Sequence, residues 1–270
     1  MRLKYLYLIQ ILFTIFNSHY SLAVSHIGMK GLGVIPGNSL NEGYVDGIEK
    51  LNIKWYYNWG VYPEKGMPKG IEYVPMLGNL RALNKTNDVI KYPNILLFNE
   101  PDPISTKSKV DIISPSQAAS HYNSVSDKLK NINIISPAPR NPWNNWLNSF
   151  LAQTKATQDI DTIAMHWYGA PNIEKFKKDV KFIHSKYKKN IWITEFATSI
   201  PCDDTSPSNQ KKVYNFLKEA IEFINTQSYI VRYSWYSPNN GKANSCALRY
   251  NSLIDLDGKL TSLGMLYSHY

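Results

Sequence analysis

The chain has 270 residues and sets 30 Lys and Arg against 21 Asp and Glu, a formal charge of +9 at neutral pH. That length admits one barrel-sized domain or two small ones. No RNA- or DNA-binding motif accompanies the basic residues, and no apolar run reaches the about 20 residues of a membrane span, so neither nucleic acid nor a bilayer-spanning role is expected.

In chain order, the first segment reads as a secretory signal over residues 1–23. Arg2 and Lys4 give a basic start, Leu6 to Phe16 a mostly apolar stretch, and Ser21-Leu-Ala23 a small-residue cleavage site. The alternative for this stretch, a membrane anchor, conflicts with its shortness. Residues 24–270 then form one domain of the size of a single eight-stranded barrel, about 250 residues.

Eight runs of apolar, β-branched and aromatic residues predict strands: Gly31 to Pro36, Ile53 to Trp59, Glu72 to Leu77, Ile95 to Asn99, Asn133 to Ser136, Thr162 to Tyr168, Ile191 to Phe196 and Ile230 to Tyr236. Several are near-continuous rather than alternating, as in strands covered on both faces. Helical segments lie between them. Ser114-Pro115 predicts a helix start, with Ser114 as N-cap and Pro115 in the first turn. Ile173, Phe176, Val180 and Ile183 form an apolar stripe over Asn172 to Tyr187. Ser206-Pro207-Ser208 opens another helix that runs through Ile224. The connection Gly60 to Gly70 is rich in Gly and Pro and predicts no full helix. Strands alternating with helices argue for a parallel sheet, and eight such units argue for an α/β fold with a single (β/α)8 TIM barrel, short and irregular around its second and third βα units. Seven lysines (Lys175, Lys177, Lys178, Lys181, Lys186, Lys188 and Lys189) cluster on the Asn172 helix and its exit. They read as a solvated helix face, the alternative being affinity for an acidic wall or membrane surface.

Two strand ends carry the chemistry. Asn94-Ile-Leu-Leu-Phe-Asn-Glu-Pro-Asp102 presents Glu100, and Ile191-Trp-Ile-Thr-Glu-Phe-Ala197 presents Glu195. In a barrel, groups at the carboxyl ends of strands form the active site, and two carboxylates are the minimum equipment for cleaving a glycosidic bond. A separation of about 5–5.5 Å implies retention and about 6.5–9.5 Å inversion. Asn99 can hydrogen-bond a sugar 2-hydroxyl or cap a turn before Pro101. His166 and Tyr168 share one side of their strand and can orient a carboxylate, while a structural histidine is the alternative for His166. Aromatics at strand ends suit a sugar-stacking cleft, with core packing as the other explanation: Tyr57 and Trp59, Trp143 and Trp146, Trp235 and Tyr236. The two cysteines, Cys202 and Cys246, suggest one disulfide in a secreted chain. Neither their spacing nor neighbouring histidines suggest a metal site.

Asn99-Glu100-Pro101-Asp102, Met165-His166-Trp167-Tyr168, Trp192-Ile-Thr-Glu-Phe-Ala197 and Trp235-Tyr236 together resemble glycoside hydrolase family 128, the Asl-type catalytic domain, within the Asn-Glu clan of retaining barrel glycosidases. The resemblance covers nearly all of residues 24–270 and implies a retaining endo-β-1,3-glucanase. It implies Glu100 as acid/base and Glu195 as nucleophile, with Asn99, His166, Tyr168 and Trp235 binding or orienting the sugar. Glu100 is expected to have its pKa raised by its partner's negative charge. No metal or organic cofactor is required. The expected partner is a β-glucan polysaccharide or oligosaccharide, and the protein is expected to be a secreted, extracellular monomer with the cell wall as one destination. Two rival readings stand beside this one: a β-glucan-binding wall protein without turnover, and an enzyme for a β-1,4-linked glucan or mannan.

Overall fold

Each run expected to be a strand contributes to one parallel sheet. The computed structural model describes residues 28–36, 42–103, 112–155, 160–238 and 245–270; the expected signal at 1–23 lies outside them. The strands are β1 (Met29–Gly33), β2 (Trp55–Tyr57), β3 (Glu72–Tyr73), β4 (Met76–Leu77), β5 (Asn94–Asn99), β6 (Asn133–Ala138), β7 (Thr162–Gly169), β8 (Asn190–Thr198) and β9 (Ile230–Trp235). Their order is β3-β2-β1-β9-β8-β7-β6-β5-β4, with every pairing parallel.

The expected eight-stranded barrel is therefore matched in outline rather than strand for strand. The run Glu72 to Leu77 is split at Val74-Pro75, where proline supplies no N–H. Its first half bonds to β2, with the Val74 N–H donating to the Tyr56 carbonyl (2.9 Å). Its second half faces β5, whose Leu96 N–H donates to the Pro75 carbonyl (3.0 Å). The two outer strands of this curled sheet are thus consecutive in the chain.

Seven α-helices flank the strands among the described residues: α1 (Glu42–Lys50), α2 (Thr86–Val89), α3 (Pro115–Val125), α4 (Trp146–Gln153), α5 (Ile173–Tyr187), α6 (Asn209–Ile224) and α7 (Ser262–His269). Ser114 caps α3 through a reciprocal box, its hydroxyl accepting from the Gln117 N–H while the Gln117 side chain accepts from the Ser114 N–H. Asn172 caps α5 by accepting from the Lys175 N–H. The connection 60–70 contains no helix, and α2 has only four residues, so the irregular region falls where the Gly- and Pro-rich sequence predicts it. None of α1, α4 and α7 was anticipated, each being eight or nine residues long. Among the described residues, no helix is long and apolar enough to cross a membrane.

Two packed layers follow from strand periodicity. Residues facing the helices, such as Ile163, Met165 and Trp167 on β7 with Phe176 and Phe216, form the larger core. Residues facing inward (Trp55, Tyr57, Val74, Met76, Leu96, Ile135, Ala138, Ala164 and Trp192) form a second. Trp55 fills this interior against Gly31, where an added Cβ would stand 2.1 Å from the indole. Arg232 lies over the Trp192 ring at 4.2 Å and pairs with Glu72 at 2.8 Å, so its buried charge has both a partner and a polarisable face.

Candidate active site

Glu100, just past β5, and Glu195, in the carboxyl-terminal half of β8, meet in one cleft, and two irregularities bring them there. On β8, Ile193 pairs with Met165, yet Glu195 rather than Thr194 pairs with His166. Strict alternation from the inward Trp192 would point Thr194 inward and Glu195 toward the helices. The extra residue rephases the strand, so Glu195 enters the cleft beside His166. On β5, the register likewise slips between Leu96 and Asn99. Phe98 turns outward against Phe150, and Glu100 takes a left-handed backbone (φ 44°). Trp59 shares that conformation (φ 56°), so two side chains of one cleft rest on sparsely populated backbone.

The cleft has a volume of about 630 Å³. His166, buried beneath it, joins the carboxylates: Nδ1 lies 3.1 Å from Glu100 Oε1 and Nε2 3.5 Å from Glu195 Oε1. A carboxylate oxygen of each glutamate lies within 4.8 Å of the other's. Burial alone would lower the His166 pKa, but the charge of Glu195, then the hydrogen bond and charge of Glu100, reverse this and raise it above its ordinary value.

Glu195 is held from three sides. The Trp59 indole N–H donates to Oε1 at 2.9 Å and the Tyr168 hydroxyl to Oε2 at 2.5 Å. The Tyr57 hydroxyl, donating to the Thr194 carbonyl at 3.0 Å, lies 3.4 Å from Oε1. Burial, followed by the charge of Glu195, pushes both phenols well above their usual range, which keeps them as donors.

Glu100 departs from expectation. Burial raises its pKa, but the hydrogen bond and charge of His166 and then Arg140 outweigh this and hold it below the ordinary carboxylate value. The Arg140 guanidinium donates to Oε2 at 2.5 Å, an ion pair that was not anticipated. The partner's negative charge does not dominate because two cationic groups stand closer to it. Asp102, two residues beyond Glu100, positions that arginine: its carboxylate accepts from the Arg140 N–H (2.6 Å), the Asn141 N–H (3.0 Å) and the Asn144 amide (2.8 Å).

Of the other expected residues, Asn99, Trp59, Trp143, His166 and Tyr168 line the cleft. The Asn99 Oδ1 is buried without a hydrogen-bond partner among the described residues. Tyr57 is fully buried and reaches the site only through its hydroxyl. Trp235 does not reach it. That ring is fully buried on the helix side, edge-on to Phe196 at 4.9 Å, and its N–H donates to the Asn251 carbonyl. The next residue, Tyr236, faces the cleft instead, as strand alternation requires once Trp235 packs outward. Tyr236 is one of the strand-end aromatics expected there, whereas Arg140, Lys175 and Asp179 line the cleft without having been assigned to it. Lys175 lies in the lysine cluster, where only its pairing with Asp179 at 2.7 Å and its place 5.6 Å over the Trp143 ring set it apart. Cys202 and Cys246 are joined, with Cα atoms 5.5 Å apart, tying the segments after β8 and β9; neither lines the cleft.

Comparison with known proteins agrees with this geometry. The sequence matches the glycosyl hydrolase catalytic core family over residues 36–267. It is 32% identical over 251 residues to alkali-sensitive linkage protein 1 of Schizosaccharomyces pombe, covering 89% of this chain but spanning only 44% of that relative's length. A curdlan-specific exo-β-1,3-glucanase of Blastomyces gilchristii, subgroup III of glycoside hydrolase family 128 and solved with glucose, superposes with a TM-score of 0.69 at 27% identity, over 90% of this chain and 98% of its own. A subgroup V exo-β-1,3-glucanase of Cryptococcus neoformans gives 0.73 at 23% identity, over 90% and 98%, a likeness of fold. A subgroup I endo-β-1,3-glucanase of Amycolatopsis mediterranei, solved with laminarihexaose, gives 0.73 at 21%, over 89% and 98%. With the matched region containing both glutamates, the histidine between them and the strands that present all three, the chain belongs to the glycosyl hydrolase catalytic core family.

Proposed function

We propose that this chain is a secreted, retaining endo-β-1,3-glucanase of the Asn-Glu clan, acting from a (β/α)8 barrel closed through residues 72–77. The observation that carries the reading is the pair of carboxylates within 4.8 Å, bridged by His166 in an aromatic-rimmed cleft. Oxygens that close are compatible with the retaining arrangement, in which the carboxyl groups stand about 5–5.5 Å apart. The choice of β-1,3-glucan rests on the family 128 neighbours, which include endo and exo enzymes for that linkage. Secretion rests on the signal-like residues 1–23 and the Cys202–Cys246 bridge.

In this mechanism Glu195 attacks the anomeric carbon while Glu100 protonates the leaving oxygen. The covalent glycosyl-enzyme is then opened by water that Glu100 deprotonates. Trp59 and Tyr168 keep the Glu195 oxygens aimed, and Asn99 is free to meet the sugar 2-hydroxyl. The chain's own side chains supply the acid, base and nucleophile.

The test is a product screen with laminarin, mixed-linkage and β-1,4-glucans. Endo action on laminarin gives a ladder of oligosaccharides, exo action glucose alone. Glu195→Gln and Glu100→Gln each reduce turnover by several orders of magnitude with an unchanged circular dichroism spectrum. Normal turnover in either variant overturns the assignment. A second reading, glucan binding without cleavage, draws support from the Arg140–Glu100 ion pair, which keeps the acid ionised at rest. Retention of oligosaccharide with no products over hours decides for it.

A further inference from the structure

The Arg140 guanidinium and the leaving group compete for one oxygen. Glu100 Oε1 faces His166, a side chain with 1% exposure that is engaged on its other edge with Glu195. The other oxygen, Oε2, is held by Arg140, whose side chain is 50% exposed. With Oε1 committed to the buried His166, Oε2 is the oxygen placed to pass a proton to a glycosidic oxygen. The arginine that occupies it has a fixed base, its N–H clamped to Asp102, and a long side chain able to swing.

We propose that Arg140 is a substrate-displaced latch on Glu100: a sugar seated on the leaving-group side moves the guanidinium off Oε2 and thereby arms the acid. This rests on the hydrolase reading above. In the latched state Glu100 is ionised. Once Arg140 leaves, Oε2 takes a proton from water. It gives that proton to the glycosidic oxygen as the Glu195–carbon bond forms and the carbon–oxygen bond breaks, the bonding pair leaving with the departing oxygen. The deprotonated Glu100 that results is the base for the second step, and a returning Arg140 favours it. Arg140 is therefore a positioning residue that acts through Glu100.

Several groups set the resting state of Glu100. His166 reaches it from β7 and Arg140 from the segment after β6, while Glu195 on β8, Tyr57 on β2 and Tyr236 after β9 lie near enough to feel its charge or share its histidine. Only Arg140 among them is half exposed at the mouth and needs no core rearrangement to move.

The two pH profiles separate this from a static ion pair, because kcat/KM reports the free enzyme and kcat the complex. With laminarin and the wild-type chain, the alkaline limb of kcat/KM is expected below that of kcat. Arg140→Ala raises the kcat/KM limb by about one pH unit, the usual minimum for removing an adjacent opposite charge, and leaves the kcat limb in place. Arg140→Lys restores part of the wild-type separation. Equal movement of both limbs, or of neither, overturns the latch. If the wild-type chain turns nothing over, the hydrolase reading fails separately, and the latch is read by 13C NMR of the Glu100 carboxyl, assigned with Glu100→Gln. Its titration midpoint must rise on adding laminaritriose and start high in Arg140→Ala. A midpoint that moves in neither comparison rejects the proposal.

Discussion

At the scale of single residues, the site is a set of donors aimed at Glu195 and cations aimed at Glu100. The donors are large and fixed: the Trp59 indole at 2.9 Å and the Tyr168 phenol at 2.5 Å each serve one oxygen. A hydrogen bond to a charged acceptor contributes about 1.5–3 kcal/mol. Tyr168→Phe and Trp59→Phe are therefore expected to lower kcat roughly tenfold to a hundredfold, with a smaller change in KM, because the lost bond aims the attacking atom more than it holds the sugar. Steady-state kinetics on laminarin check this; a loss confined to KM makes those side chains sugar binders only. Trp235 is a control of the opposite kind. Buried among Phe196 and Phe216, its truncation to Ala is expected to cost about 3–5 kcal/mol of stability.

At the scale of elements, the bridge between Cys202 and Cys246 ties the segments that follow β8 and β9. The pair is separated by 44 positions in sequence, and loops of that length gain about 2–4 kcal/mol from a cross-link. The paired Cys202→Ser and Cys246→Ser variant is accordingly expected to melt roughly 5–15 °C lower. A calorimetric scan that shows no decrease sets the bridge aside as a stabiliser. The strands themselves were legible because apolar runs and Gly/Pro punctuation are local signals, and so was the placement of Glu100 just past β5; Glu195 instead lies inside β8, which runs on to Thr198. The phase of those strands was not. Thr194 against Glu195 and Phe98 against Asn99 are decided by slips in pairing with a neighbouring strand, a tertiary event with no mark in the run itself. Arg140 was hidden for the same reason. Nothing in Ala138-Pro-Arg-Asn141 announces a partner 40 residues upstream, although Asp102, already inside the quoted motif, is the group that clamps it. Trp235 and Tyr236 could have been sorted by alternation, since a cleft-facing Tyr236 sends its neighbour outward.

Across the whole molecule, the curled sheet buries the charge system of Glu100, His166 and Glu195, and the pH dependence of that system follows from two opposite shifts. His166 titrates above its ordinary 6.5 and Glu100 below its ordinary 4.5. A raised histidine contributes stability that is complete below pH 6.5 and is lost as pH climbs through the folded value. A depressed carboxylate contributes stability that is complete above pH 4.5 and is lost as pH falls through its own. Both contributions coexist between those limits, so the melting temperature of the wild-type chain is expected to plateau at mildly acidic pH and decline on either side. Glu100→Gln removes the acidic shoulder due to that carboxylate and weakens the alkaline one, because His166 keeps only the charge of Glu195 as its support. His166→Gln removes the alkaline shoulder altogether and returns Glu100 toward an ordinary carboxylate held by Arg140 alone. Melting curves from pH 3 to pH 9 on the three chains distinguish these outcomes. An alkaline decline that survives unchanged in His166→Gln means that some other group carries it, and that the imidazole between the glutamates is neutral in the folded chain.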